Sequence, residues 1–203
     1  MAIEKPKSVF TNYTAFNLRA DPVDGCKKAS RLVFSSRNGW PRITVFYGDE
    51  NKSIYAPMDL GSMLYLLEDI GKIADEPNGT KRALTCRQLN RDTNEMFEVS
   101  TIYYGKDENG IIWICLVDKQ RESAKIKFLF KFSDYISLID SSGNVIEDKG
   151  TLSQYLAKVR CRSLATLYTD SSVSVNLSVE QQQEVETASK PLTTTNDLED
   201  FDF

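Results

Sequence analysis

The chain has 203 residues, 41% of them hydrophobic and 27% charged, enough for one good-sized domain or two small ones without disulfide staples. Its net charge of −4 hides a split: residues 1–170 carry 24 basic and 22 acidic side chains, residues 171–203 one lysine and seven acids. A body this near neutrality excludes a uniformly basic surface, so any nucleic-acid site must be a local patch.

In chain order, Met1 to Lys7 reads as a loose end. Ser8 to Arg19 has strand-like β-branched and aromatic density, stopped by Asp21-Pro22. Ala29 to Ser36 is a strand closed by Asn38-Gly39, a strong hairpin signal, and Arg42 to Tyr47 is the return strand. Gly48-Asp49-Glu50-Asn51 is a turn, and Lys52 to Ala56 a third strand ending at Pro57. The period then changes. Leu60, Met63, Leu64, Leu67, Ile70 and Ile73 fall at helical spacing, predicting a helix over Met58 to Ala74 with Asp59 as cap.

After Pro77-Asn78-Gly79 a second unit starts. Lys81 to Leu89, Met96 to Tyr104, Ile111 to Val117 and Lys125 to Phe132 read as four antiparallel strands. Asp134 to Ile139 is open between helix and sheet, and Ser141 to Asn144 is a turn. Leu152 to Tyr168 repeats apolar residues at Leu152, Tyr155, Leu156, Val159, Leu164 and Leu167, predicting a packing helix. The fold class is therefore α+β and mostly antiparallel sheet. A body over residues 1–170, with halves 8–76 and 80–170, precedes a tail over 171–203.

The halves can be overlaid. Asn38-Gly39 through Leu64 to Gly71 matches Asn109-Gly110 through Ile136 to Gly143 at an offset of about 70 residues, with few identities. A sheet followed by a helix, occurring twice, resembles the Whirly-type single-stranded DNA-binding fold. An OB-type barrel, as in other phage single-stranded DNA-binding proteins, is the alternative.

Enzyme chemistry is poorly supplied. There is no histidine, the usual acid–base group at neutral pH, and no phosphate loop, nucleophile elbow or acidic metal motif. Asp49-Glu50 and Asp107-Glu108 are paired carboxylates, but both fall in turns, where solvated acids are ordinary. Cys26, Cys86, Cys115 and Cys161 form no Cys-x-x-Cys, and Cys86 and Cys115 sit in apolar strand patterns as small core residues. Neither a cofactor nor a metal is expected. With no signal-peptide run and no membrane-length apolar stretch, a reducing, cytoplasmic setting is the expectation, in a host cytoplasm if the protein is viral.

Binding a single strand needs cations along the phosphate path and aromatic faces for stacking. Alternation in Arg42 to Tyr47 puts Ile43, Val45 and Tyr47 on one face and Arg42, Thr44 and Phe46 on the other. Arg31, Ser35 and Arg37 form a similar polar row across the turn, with Trp40 beside it. In the second unit, Lys81 and Arg87 share a face, Tyr103 lies on the next strand, and Trp113 reads as core. Ile126, Phe128, Phe130 and Phe132 form one face opposite Lys125, Lys127 and Lys131, which read equally as a basic stripe or as edge lysines that resist aggregation.

The run Ser171 to Thr195 is polar, reading as a tether, and is followed by Asp197, Leu198, Glu199, Asp200, Phe201, Asp202 and Phe203. This ending resembles the acidic C-terminal tails of bacterial and short-tailed-phage single-stranded DNA-binding proteins, which finish on a phenylalanine that recruits partners. The resemblance covers about eight residues. It implies nonspecific single-stranded DNA binding in replication or recombination, with the tail recruiting replication proteins. Two alternatives are a phage transcription cofactor that recruits polymerase, and a scaffolding protein with no nucleic-acid affinity. A homo-oligomer is compatible with each reading.

Overall fold

The computed structural model describes residues 16–37, 39–121, 123–132, 137, 139–146 and 149–188, with side chains of the last stretch described for 150–170. Inward apolar residues at every second position build two sheets. The first runs in the order β1 (Leu18–Pro22), β2 (Ala29–Arg37), β3 (Trp40–Tyr47), β4 (Lys52–Pro57); all neighbours are antiparallel. Leu18, Leu32, Phe34, Ile43, Val45, Ile54 and Ala56 are its buried face. The second follows the same order with β5 (Lys81–Asn90), β6 (Glu95–Lys106), β7 (Ile112–Asp118) and β8 (Phe128–Leu129). Helix α1 (Leu60–Ile73) follows the first sheet and α2 (Lys149–Ala188) the second. The fold is thus α+β, with two four-stranded antiparallel sheets and two helices, and the described strands close no barrel. One buried cluster draws on both sheets and both helices.

Several boundaries differ from the sequence reading. β1 starts at Leu18 and runs through Pro22 rather than stopping at Asp21; residues 8–15 lie outside the described residues. β8 is two residues long, because the ladder with β7 pairs only Trp113 with Leu129 and Ile114 with Phe128. Lys125 and Lys127 thus precede the strand and Lys131 follows it. The expected alternation nevertheless holds at Phe128 and Phe130, both fully buried. Of Asp134 to Ile139, residues 134–136 and 138 are outside the described residues, and Ile139 bridges Val145.

Helix α1 begins where its cap directs. The Asp59 carboxylate accepts from the Ser62 amide at 2.8 Å and from the Ser62 hydroxyl at 2.6 Å. Its far end is capped by a cation from the other half. Lys106, itself buried, donates through Nζ to the carbonyls of Ala74 at 3.1 Å and Glu76 at 2.8 Å, where the helix dipole favours positive charge. Arg82 on β5 bonds the buried Asp69 carboxylate of α1 and reaches Glu76 at 2.5 Å, while the Tyr104 hydroxyl donates to Asp69 at 2.8 Å. These bonds fasten the first helix to the second sheet. Within the second sheet, Gly105 permits the close pairing of β6 with the start of β5: a Cβ there would clash with the Thr80 carbonyl oxygen.

Helix α2 packs through Leu164 and Leu167 as expected, with Leu152 and Leu156 half-buried, but its buried face is turned away from Tyr155 and Val159. The buried positions are Ser153, Ala157, Cys161, Leu164 and Tyr168, whereas Tyr155 is 61% and Val159 43% exposed. Small side chains at Ala157 and Cys161 let the helix pack closely, and the Ser153 hydroxyl accepts from the Ile112 amide at 2.9 Å. The helix also continues to Ala188, past Asp170 where the tail was expected to begin. Residues 189–203 lie outside the described residues.

The internal overlay holds in part. Gly39 and Gly110 occupy the same place, the connection between the second and third strands of their sheets, with φ of 78° and 79°. It fails further on: Leu64 to Gly71 is helix, but Gly143 lies in a turn, its amide donating to the Asp140 carbonyl at 3.1 Å, and α2 starts only at Lys149.

Candidate nucleic-acid interface

The outward face of the first sheet gathers cations and rings. Since inward positions alternate with outward ones, β2 presents Arg31, Val33, Ser35 and Arg37, and β3 presents Trp40, Arg42, Thr44 and Phe46. Register sets their partners. Arg31 lies directly opposite Phe46, with its guanidinium 5.0 Å from the ring centre, and Arg37 opposite Trp40. On β4, Tyr55 faces Thr44, and the diagonal neighbour Arg42 lies over its ring at 4.2 Å. Each pairing is worth about 0.5–1 kcal/mol at a partly exposed site and holds the guanidinium over a ring. Trp40 is 62% exposed, an open ring at the end of the row. Arg42 Nε is buried, and no described group accepts from it.

The planar groups stand in two layers, ring beneath and guanidinium above. A base arriving here meets the exposed face of an arginine before it meets Phe46 or Tyr55, whereas at Trp40 it meets the indole directly. Guanidinium planes stack on bases and also pair phosphates, so the face offers both contacts a single strand requires.

The second sheet holds a separate and weaker set. Lys81 and Arg87 are exposed on β5, and Tyr103 on β6 is 37% exposed. Arg87 faces Glu98 at 3.5 Å, which offsets its charge. Trp113 is buried as expected, yet alternation places it on the outward side, roofed by Lys127 with Nζ 4.9 Å from the ring centre. Lys125 and Lys131 are exposed nearby. The sequence-derived candidates thus divide: Arg31, Arg37, Trp40, Arg42 and Phe46 form one continuous face, and Lys81, Arg87, Tyr103, Lys125, Lys127 and Lys131 belong to the other half. Asp197 to Phe203 lie outside the described residues.

Tyr55 and Arg19 belong to the first face but were not among the candidates. Both were legible from alternation, because Ile54 and Ala56 flank Tyr55 and Leu18 precedes Arg19, all facing inward.

The paired turn acids serve the backbone. Asp49 Oδ1 accepts from the amides of Lys27 and Lys28, and Asp107 Oδ1 from those of Asn109 and Ile111. Among the described residues no cluster of three histidine, cysteine or acidic side chains could hold a metal ion. A cavity of about 730 Å3 lies between α1 and α2, lined by Leu64, Leu67, Gly71 and Ala165. Its rim charges are largely paired, Lys72 with Glu68 at 2.7 Å and Lys158 with Asp75 at 2.5 Å. No described helix is long and apolar enough to cross a membrane.

The chain matches no protein-family model, no curated protein and no solved structure.

Proposed function

We propose that the protein binds single-stranded DNA without strong sequence preference, through the outward face of the first sheet. One observation carries this: two arginines laid over rings, Arg31 on Phe46 and Arg42 on Tyr55, in line with Arg37 and the exposed Trp40. Arginines release counterions from phosphates, and stacked planes accept any base. A sheet followed by a helix, twice, also suits the Whirly-type resemblance better than an OB-type barrel. The acidic run Asp197 to Phe203 would compete for the cationic face until DNA displaces it, freeing Phe201 and Phe203 for replication proteins. Recruitment of polymerase at a promoter is the second reading, favoured by the same run and differing only in the partner.

The test is fluorescence anisotropy of a labelled oligo-dT and a matching duplex at low and moderate salt, with intact protein and protein lacking residues 196–203. Tighter single-strand binding that weakens with salt and strengthens on deletion supports the reading. No binding by either form overturns it in favour of a scaffolding role, and weaker binding after deletion overturns the competition.

A further inference from the structure

At one end of the same face, β1, β2 and the β3–β4 turn enclose a cavity of about 280 Å3. Arg19, Lys28 and Arg31 line it, and no acidic side chain does. Arg19 and Arg31 are direct cross-strand partners, so two like charges face each other on one side of a sheet. That arrangement is destabilising unless something neutralises it. Among the described residues no carboxylate ion-pairs with either arginine or with Lys28, whose ammonium donates to the Asp49 backbone carbonyl at 2.8 Å. The nearby Asp49 carboxylate is taken up by the amides of Lys27 and Lys28. Three cations without an ion-pair partner among the described residues thus border one small space.

We propose that this cavity is a phosphate-binding pocket that anchors one phosphate of a bound strand, with Arg19, Lys28 and Arg31 neutralising it. It is a little smaller than the ~300–1,000 Å3 of sites that enclose whole drug-sized ligands, so a phosphate and part of its sugar fit but an extended ligand does not. Phe46, which also lines the cavity beneath Arg31, joins the pocket to the stacking row. A phosphate fixed here gives the strand a defined starting point on the sheet. In this form the inference rests on the single-strand reading, while phosphate binding itself can be tested apart from it.

The experiment is an amide NMR titration of the full chain with thymidine 5′-monophosphate, with thymidine as control. It is repeated for Arg19→Gln/Lys28→Gln, whose side chains are exposed, after circular dichroism has verified an unchanged fold. Oligo-dT binding is measured in parallel, with and without a 5′-phosphate. The expected result is a saturable shift at Ser30, Arg31, Gly48 and Asn51 with the nucleotide but not with thymidine, abolished in the variant. Oligo-dT affinity of the variant falls about five- to tenfold at low salt, and the log–log salt slope drops by about 1.4, or roughly 0.7 for each lost cation. An affinity gain from the 5′-phosphate assigns the pocket to a strand end, and equal affinities assign it to an internal phosphodiester; both uphold it. Equal shifts from thymidine, or no saturable shift while oligo-dT binds normally, overturn the pocket and leave the single-strand reading standing. A saturable nucleotide shift without oligo-dT binding upholds phosphate recognition and overturns the strand.

Discussion

The Tyr168 hydroxyl donates a hydrogen bond to the backbone carbonyl of Ser35 at 3.1 Å, joining the last helix to the strand that carries Arg31 and Arg37. Tyr168 is 1% exposed, and burial pushes its phenol well above the ordinary range, so it remains a donor at any working pH. Tyr168→Phe removes the bond and keeps the ring. The expected destabilisation is about 1 kcal/mol, against roughly 3–5 for Tyr168→Ala, which also opens a cavity. Urea denaturation of the two variants measures the difference.

On the candidate face, charge and stacking separate by mutation. Arg31→Ala and Arg42→Ala should each lower oligo-dT affinity and reduce the salt slope by about 0.7. Phe46→Leu and Tyr55→Leu should weaken binding with the slope nearly unchanged, because they remove the surface that holds the arginine and leave its charge. Trp40→Ala should cost about 1–3 kcal/mol if a base stacks there. Arg87→Ala, already paired with Glu98, should change little. Salt-dependent anisotropy reads all six.

The halves are joined at Arg82. Its removal leaves the Asp69 carboxylate, 5% exposed, without its cation. Arg82→Ala should destabilise by about 2–3 kcal/mol, less than the ~3–5 of a fully buried pair because the Arg82 side chain is 37% exposed. Replacing both partners, Arg82→Met with Asp69→Leu, should recover much of that loss. A double-mutant cycle in urea tests the coupling.

Helix α1 gives a pH signature. Hydrogen bonds from the Ser62 side chain and amide hold the Asp59 carboxyl below its ordinary value of 3.8. A lowered folded-state value stabilises above the unfolded pKa and is lost as pH falls through the folded one. Asp59→Ala should therefore cost about 1 kcal/mol at pH 7 and progressively less below about pH 4. Asp59→Ser should stay close to the parent. Denaturation at pH 7 and pH 3 is the check.

The cysteines should react in a fixed order. Burial pushes the thiols of Cys86 and Cys115 up, and that of Cys161 up to about 12, while Cys26 is partly exposed. Iodoacetamide at pH 8 should label Cys26 first and the other three only as the protein unfolds. Peptide mass spectrometry over time reads the order.

Alternation along single strands was determined by sequence, because a period of two needs no knowledge of neighbours. It put Arg42, Thr44 and Phe46 outward and Phe128 and Phe130 inward, and the short-range chemistry of Asp59 and the two Gly-containing turns marked where elements begin and end. Pairing was decided only by the tertiary structure. That Arg31 lies over Phe46, Arg42 over Tyr55 and Arg19 against Arg31 depends on register between residues 12 to 15 apart in the chain, which local periodicity does not encode. The same holds for Arg87, whose exposure was legible but whose partner Glu98 was not. Helix α2 shows the limit most clearly. Its sequence has apolar residues on more than one side, and the side that packs is the one where Ser153, Ala157 and Cys161 are small enough to admit a neighbouring element, leaving Tyr155 and Val159 in solvent.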